Sequence, residues 1–367
     1  MGLTAGPVPS RVDAHVKAGV LDLIDHAVAH GWSARAACQL LGIDDLRAAR
    51  WAARRAGGRL DDAAPGGHPL HGLLDWEREA IVALHTDWGE IDRSHRKLAH
   101  RGSYLERVWV SASTVRTVLA AEGLTLQGNP ARDPIPRKPW PDWLEWKPNR
   151  IWGYDFTHFT RAHRAVVAIL DIVSRKWLAT VVSAEESSTQ IEVAFTDALS
   201  AEGLWEAADE RATAALVAAL SCGDRAAVAT AIGDGQLPLL LAISDNGSQM
   251  RSHSTREFLA GVAIAQQFGR PGTPQDQAWV ETLFGHVKGE WPHLEKITDP
   301  GELEAELELV RAQYNGVRLH AGIEYVTPND EHEGRGDAIR TQRRDGLVRA
   351  RENRIAYRRC TTTGDDQ

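Results

Sequence analysis

The sequence is poor in the residues that build disulfide frameworks and thiolate metal sites. Its three cysteines, Cys38, Cys222 and Cys360, lie far apart in a chain of 367 residues. Neither a disulfide framework nor a Cys-x-x-Cys zinc pair can be built from them, so reduced, incidental thiols are expected. Also missing is any stretch near the roughly 18 apolar residues of a membrane helix. The start, Met1-Gly2-Leu3-Thr4, has neither a basic n-region nor an apolar h-region. The expectation is a cytoplasmic protein with no membrane partner. Positive charge is not in excess either: the formal net charge is -8. At face value this argues against a polyanionic partner, because DNA affinity comes largely from Lys and Arg displacing condensed counterions.

What is present, and where, changes that last point. Between Ala184 and Leu240 stand ten acidic residues against only Arg211 and Arg225, so this one stretch carries the whole charge of -8 and the rest is neutral. Within the rest, Arg335 to Arg359 holds nine arginines against three acids, and Arg93 to Lys138 holds nine basic residues. Two basic segments thus flank the centre, as a DNA footprint would, although each alone reads equally as a solvated face. With 43% hydrophobic and 25% charged residues, the chain can bury a substantial core and carry two or three domains.

Five segments follow. Residues 1–60 read as a helix-turn-helix-like DNA-binding module: Val20, Leu23, Ile24, Ala27 and Val28 recur at helical spacing, Gly31 breaks the pattern, and Ser33 can cap a second helix. The piece from Trp32 to Ile43 reads as helix, turn, helix. After a Gly- and Pro-rich linker, residues 61–127 read as a second helical DNA-binding module, with Ser113 as a natural N-cap and Val115, Val118 and Leu119 facing a core. Residues 128–149 carry six prolines, which exclude regular structure over most of this linker. Its Trp140, Trp143 and Trp146 either stack on unpaired bases or pin the linker to the next domain; buried apolar area favours the second. Residues 150–330 form the α/β core, with an acidic, Ala-rich insertion near 201–236. Residues 331–367 are an Arg-rich tail.

In the core, Ile151–Phe156, Ala165–Val173 and Trp177–Val182 read as successive antiparallel strands, the last two joined by a tight Ser174-Arg175 turn. Then come an acidic helical stretch, a strand at Leu237–Ile243, a helix at Thr255–Ala260, a strand at Val262–Gln267, and helices at Pro274–Gly289 and Glu302–Gly316. This is the ribonuclease-H-like order: a mixed five-stranded sheet with flanking helices, preceded by helix-turn-helix modules.

Three carboxylates fall at telling places: Asp155 within the first strand, Asp245 just beyond the fourth, and Glu281 inside a later helix. In this arrangement the first and fourth strands are neighbours, so Asp155 and Asp245 can meet and the helix can lay Glu281 beside them. Phosphodiester chemistry gives acids a purpose, because two divalent ions about 3.5–4 Å apart activate the attacking oxygen and stabilise the leaving one. Mg2+ or Mn2+ takes hard oxygen ligands, so a few carboxylates suffice. Each acid alone has a plainer reading: Asp245-Asn246-Gly247 as a turn, Asp155 as a solvating strand residue, Glu281 as a surface helix charge.

Taken together, three blocks resemble a known family: Trp152-Gly153-Tyr154-Asp155-Phe156-Thr157-His158, Ser244-Asp245-Asn246-Gly247-Ser248-Gln249, and Gly272 to Glu281. They look like the catalytic blocks of insertion-sequence transposases with a retroviral-integrase-type (rve) D,D-35-E core, of the IS-three type; thirty-five residues separate Asp245 from Glu281. Asp171-Ile172-Val173-Ser174-Arg175, Lys288, and Tyr314 to His320 with Thr327-Pro328 extend the likeness over about Trp88 to Asn329. The resemblance implies that Asp155, Asp245 and Glu281 hold two Mg2+ (or Mn2+) ions and that Lys288 approaches DNA phosphates. Asn246, Gly247, Ser248 and Gln249 would shape the loop beside the site. Tyr314, Asn315, Arg318 and His320 would contact DNA or support the site, or only fasten the last helix to the core. The implied activity is metal-dependent DNA cleavage and strand transfer on element terminal inverted repeats and target DNA, by a self-associating multimer in a bacterial cytoplasm at the nucleoid. The alternatives are a silent DNA-binding regulator or relic, or a structure-selective nuclease. Ile243, Met250 and Gln277 depart from the family pattern without removing a carboxylate. The insertion lengthens the interval between the first two acids, and its charge should hold it on a face away from DNA.

Overall fold

In the computed structural model, residues 8–9, 11–62, 69–124, 140–269 and 278–364 are described. They fall into two compact units, Met1–Gly72 and Leu73–Gln367.

The first unit is a three-helix cluster of α1 (Ala14–Ala29), α2 (Ala34–Leu40) and α3 (Asp45–Ala56). Ser33 caps α2 by accepting the Ala36 N–H, and Asp44 caps α3 by accepting that of Arg47. The Trp32–Ile43 piece holds only α2 and the turn after it. Gly42, at φ +63°, turns the chain out of α2, and the partner helix begins at Asp45. Val20, Leu21 and Ile24 of α1 meet Cys38, Ile43 and Trp51 in a small core.

The second unit starts with another helical trio, α4 (Asp75–Asp92), α5 (His95–Tyr104) and α6 (Ala112–Ala121). The cap of α6 is Ser111 rather than Ser113: its extended backbone lets its hydroxyl accept the Thr114 N–H, while Ser113 already lies in the first turn. Ile81, Leu84, Leu98, Val115, Val118 and Leu119 form the core of this trio.

A five-stranded sheet follows, from β1 (Ile151–Phe159), β2 (Arg164–Asp171), β3 (Trp177–Ser183), β4 (Leu240–Ser244) and β5 (Ile264–Phe268), in the order β3-β2-β1-β4-β5. The first three strands are antiparallel, while β4 runs parallel to β1 and β5 parallel to β4. This mixed sheet is ribonuclease-H-like. Strand β4 begins two residues after Pro238, which cannot donate to a ladder.

Helices cover both faces. Trp152 and Tyr154 of β1 point into a core shared with α7 (Ser188–Ala201) and α11 (His253–Gly261). The acidic insertion forms α8 (Trp205–Arg211), α9 (Ala214–Cys222) and α10 (Arg225–Gly233), whose Ala208, Leu216, Leu220 and Ala231 join the same core. On the opposite face, α12 (Ala278–Glu290) and α13 (Pro300–Gly316) bury Val280, Leu283, Leu303 and Leu307 against Val166, Ala168 and Leu170. Alternation along a strand therefore sends Gly153 and Asp155 toward α12. The part of the expected Pro274–Gly289 helix before Ala278 lies outside the described residues, as does the linker from 125 to 139. Within the described remainder of the linker, Trp140 and Trp143 pack against the sheet's core, and Trp146 is 51% exposed.

After α14 (Pro328–His332), the segment expected as an Arg-rich tail forms a long helix, α15 (Gly336–Gly364). It lies on the second helical trio. Arg343 donates to the carbonyls of Ala99 and Val110 and to the Ser103 hydroxyl, and Arg358 donates to Leu73 O. Arg354 holds the Glu77 carboxylate at 2.8 Å. At Gly346 a Cβ would overlap the Trp109 ring, so glycine admits this close approach. Arg344, Arg349 and Arg351 stay exposed. No helix among the described residues is long and apolar enough to cross a membrane.

Candidate active site

Strands β1 and β4 run side by side, with Gly153 opposite Ile243, so Asp155 within β1 and Asp245 just past the end of β4 stand at matching positions on neighbouring strands. Gly153 brings the third acid near. A Cβ there would stand 2.7 Å from Val280 Cγ2 of α12, which is too close, so the missing side chain lets α12 settle against β1 with Glu281 one residue beyond the contact. Asp155 then shares a small pocket with Gly153, Ile172, Ile243, Trp279 and Val280, a mostly apolar wall.

Electrostatics sets Asp155 apart. Burial first, then Asp245, Glu281 and Glu186, push its carboxyl up to about 7, against one relieving hydrogen bond from the Phe156 N–H at 2.8 Å. No Lys or Arg pairs with any of these four acids among the described residues. A divalent cation is the species that would relieve such a group, and carboxylate oxygens are the donors Mg2+ and Mn2+ take. The donor chemistry therefore fits. The arrangement is open, however: among the described residues no three His, Cys, Asp or Glu side chains stand close enough together to hold a metal ion.

The loop after β4 is built around Asp245. Its Oδ1 accepts the Gly247 N–H at 2.8 Å, and a Cβ on Gly247 would lie 2.9 Å from that same oxygen and 3.0 Å from Gln249 Nε2. Asn246 donates to Gly269 O at 2.7 Å, and the Ser248 hydroxyl donates to Gln249 Oε1 at 3.2 Å. Gln249 Nε2 in turn donates to Glu186 Oε2 at 3.0 Å, and His158 Nε2 lies 3.0 Å from Glu186 Oε1. Sequence reasoning gave Glu186 no role. Its only signal was an acidic pair, Glu185-Glu186, just past the end of β3.

The other expected site residues are placed elsewhere. Lys288 donates to His158 O at 2.8 Å, pairs with Glu295 at 3.0 Å and sits over the Phe159 ring, so it clasps α12 to β1. Tyr314 is 1% exposed, edge-on to Trp177, and burial pushes its hydroxyl up to about 12. Asn315 spans the Trp177 backbone, accepting its N–H and donating to its carbonyl, both at 2.8 Å. Arg318 grips Glu290, the last residue of α12, with two bonds of 2.7 and 2.8 Å. His320 caps a short turn by accepting the Gly322 N–H; burial, then Arg318 and Arg175, push it down to about 2. None of these four lines the Asp155 pocket.

A second polar cluster lies at the far end of β2. Asp171 accepts the N–H groups of Asn149 and Ser174 and the Ser174 hydroxyl, at 2.6 to 2.8 Å. Ser174 Oγ also meets His332 Nδ1 at 2.8 Å, and His332 Nε2 meets Glu202 Oε2 at 2.7 Å. A serine, histidine and glutamate in series have the hydrogen bonds of a hydrolase triad. Ser174 is 0% exposed and also bonded to Asp171, so no substrate reaches it and the cluster is structural. Neither Glu202 nor His332 was anticipated.

Residues 262–328 match the family of integrase core domains. A transposase for insertion sequence element IS904 of Lactococcus lactis subsp. lactis (strain IL1403) is 29% identical over 94 residues, 25% of this chain and 37% of that protein. A Lactococcus lactis protein named an ATP-dependent protease is 31% identical over 98 residues, 26% of this chain and 31% of its own length. The chain thus spans about a third of the length of the curated relatives it matches. Among solved structures, the catalytic core domain of BIV integrase is 18% identical, over 52% of this chain and 97% of its own, with a TM-score of 0.33. The HTLV-2 integrase catalytic core in complex with magnesium is 18% identical, over 51% and 97%, with a TM-score of 0.32. In the stretch from Val262 to Pro328, on sequence, this chain is similar to integrase core domains.

Proposed function

We propose that this protein is a transposase or integrase that cleaves and joins DNA strands, with Asp155, Asp245 and Glu281 as its metal-holding carboxylates. The observation that carries the proposal is Asp155: a carboxyl raised to about 7 by burial and by Asp245, Glu281 and Glu186, with no Lys or Arg paired to it among the described residues. A site that costs the fold charge repulsion is the kind that serves chemistry. The match to integrase core domains over residues 262–328 supports the same reading.

Divalent ions bound there would supply an activated attacking oxygen and a stabilised leaving oxygen. The chain's own groups do the rest. Gly153 admits α12, Val280 and Trp279 wall Asp155 from water, and the Asp245 loop holds its carboxylate through the Gly247 N–H. No serine or tyrosine nucleophile is required, so water would cut and a freed 3′-hydroxyl would join. The two helical trios and the exposed arginines of α15 would bind terminal inverted repeats and target DNA. Pairing two DNA ends would call for a multimer, acting in the bacterial cytoplasm.

The test is a strand-transfer assay with labelled element ends and Mg2+. Asp155→Asn should bind DNA and lose activity by about a thousandfold, the equivalent of about 4 kcal/mol of transition-state stabilisation. Equal activity in wild type and variant sinks the proposal, and cleavage without joining identifies a nuclease instead.

A further inference from the structure

We propose that Glu186 is a positioning residue that fixes the Asp245 loop to strand β1 and so sets the distance between Asp155 and Asp245. The proposal rests on the reading of those two acids as the working site. Glu186 lies between β3 and α7, on neither element that carries an active-site acid. Each of its oxygens reaches one of those elements. Oε1 is 3.0 Å from His158 Nε2, three residues beyond Asp155 on β1, and Oε2 accepts from Gln249 Nε2 at 3.0 Å, four residues beyond Asp245.

Gln249 transmits the hold. Its Nε2 and the Asp245 Oδ1 close on Gly247 from two sides, within about 3.0 Å of where a Cβ would stand. Its carbonyl accepts the Thr255 hydroxyl at 2.8 Å, which anchors the loop to α11. With Glu186 in place, the loop is tied to β1 as well as to α11 and to Gly269; without it, the tie to β1 is lost.

Charge alone makes Glu186 an odd choice for this position, since it adds to the repulsion on Asp155. A carboxylate that worsens the electrostatics of its neighbours while bonding both elements that carry them is placed for geometry. The side chain is 30% exposed and lies past the end of β3, so its loss should leave the fold intact.

The experiment compares wild type, E186A, E186Q and D155N, all full length, by Mn2+ titration followed by calorimetry, by thermal melting and by strand transfer. E186A should melt like wild type, bind Mn2+ about tenfold more weakly and lose about tenfold in rate, the scale of one lost hydrogen bond to a charged group. E186Q keeps an oxygen for Gln249 and should recover to within about threefold of wild type on both readouts. An E186A indistinguishable from wild type overturns the proposal, as does an E186Q as damaged as E186A, which would assign the role to charge. A fully active D155N would instead sink the active-site reading itself.

Discussion

Two buried acids of the sheet domain, Asp155 on β1 and Glu202 near the end of β2, have opposite fates. Near the end of β2, Glu202 is buried, which alone would raise its pKa, yet bonds from His332, Asn149 and Lys176 outweigh burial and bring it down to about 2. On β1, Asp155 has one N–H donor and three acids acting on it, and stands at about 7. Both are carboxylates in one domain, and the difference lies in their partners. Glu202 is satisfied by its donors and strengthens the fold; Asp155 has one donor against three neighbouring acids.

The largest effect should come from breaking the satisfied group. His332→Ala removes the partner of Glu202 and of Ser174 and leaves a buried carboxylate short of donors; urea unfolding should show a loss of about 3 kcal/mol. An effect under about 1 kcal/mol would mean that solvent already reaches the cluster.

The opposite change should stabilise. The Asp155 carboxyl is raised in the folded state, so the folded protein binds an extra proton between about pH 4 and 7, and the stability that proton contributes is lost as pH rises through about 7. Asp155→Asn removes the buried charge and should add on the order of 2 kcal/mol at pH 8, with little change at pH 4. A flat difference across that range would break the comparison. Glu202 should show the reverse sign: its lowered pKa contributes stability above about 4.5 that is lost as pH falls toward about 2.

Gly153→Ala places a methyl against Val280 and should push α12 from β1, costing about 1–2 kcal/mol by overpacking. Strand transfer should fall further than stability does, because Glu281 moves with α12. Equal scaling of the two losses would make Gly153 a packing residue only. Of the same size, saturating Mg2+ should raise the melting temperature of wild type at pH 8 by an amount worth about 1–2 kcal/mol, and Asp155→Asn should abolish that rise. Calcium in place of Mg2+ should sharpen the result by stabilising without supporting strand transfer.

The strand pattern was legible early because alternation and turn chemistry are local. Short β runs, the Ser174-Arg175 turn and the Ser33 cap depend on neighbours a few residues away. Local signals also misled: Ser111 and Ser113 are both good caps by composition, and only the helix start separates them. The nine arginines from Arg335 to Arg359 suggested a DNA footprint by count alone. Several are spent on carbonyls and on Glu77 in the second helical trio, more than 200 residues away in sequence. Lys288 likewise bonds the His158 carbonyl of β1, a partner that no local pattern announces.

The sequence alone determined the order of strands and helices within the sheet domain and, through the Asp-Asn-Gly block and its spacing, which acids to compare. Tertiary structure alone decided which acids are answered. Glu202 meets His332 across 130 residues and Gln249 meets Glu186 across 63, and no pattern local to either partner encodes such a meeting. Burial and pairing are properties of the packed sheet and its helices, so the charge left open at Asp155 and the two-sided grip of Glu186 exist only once the chain has folded.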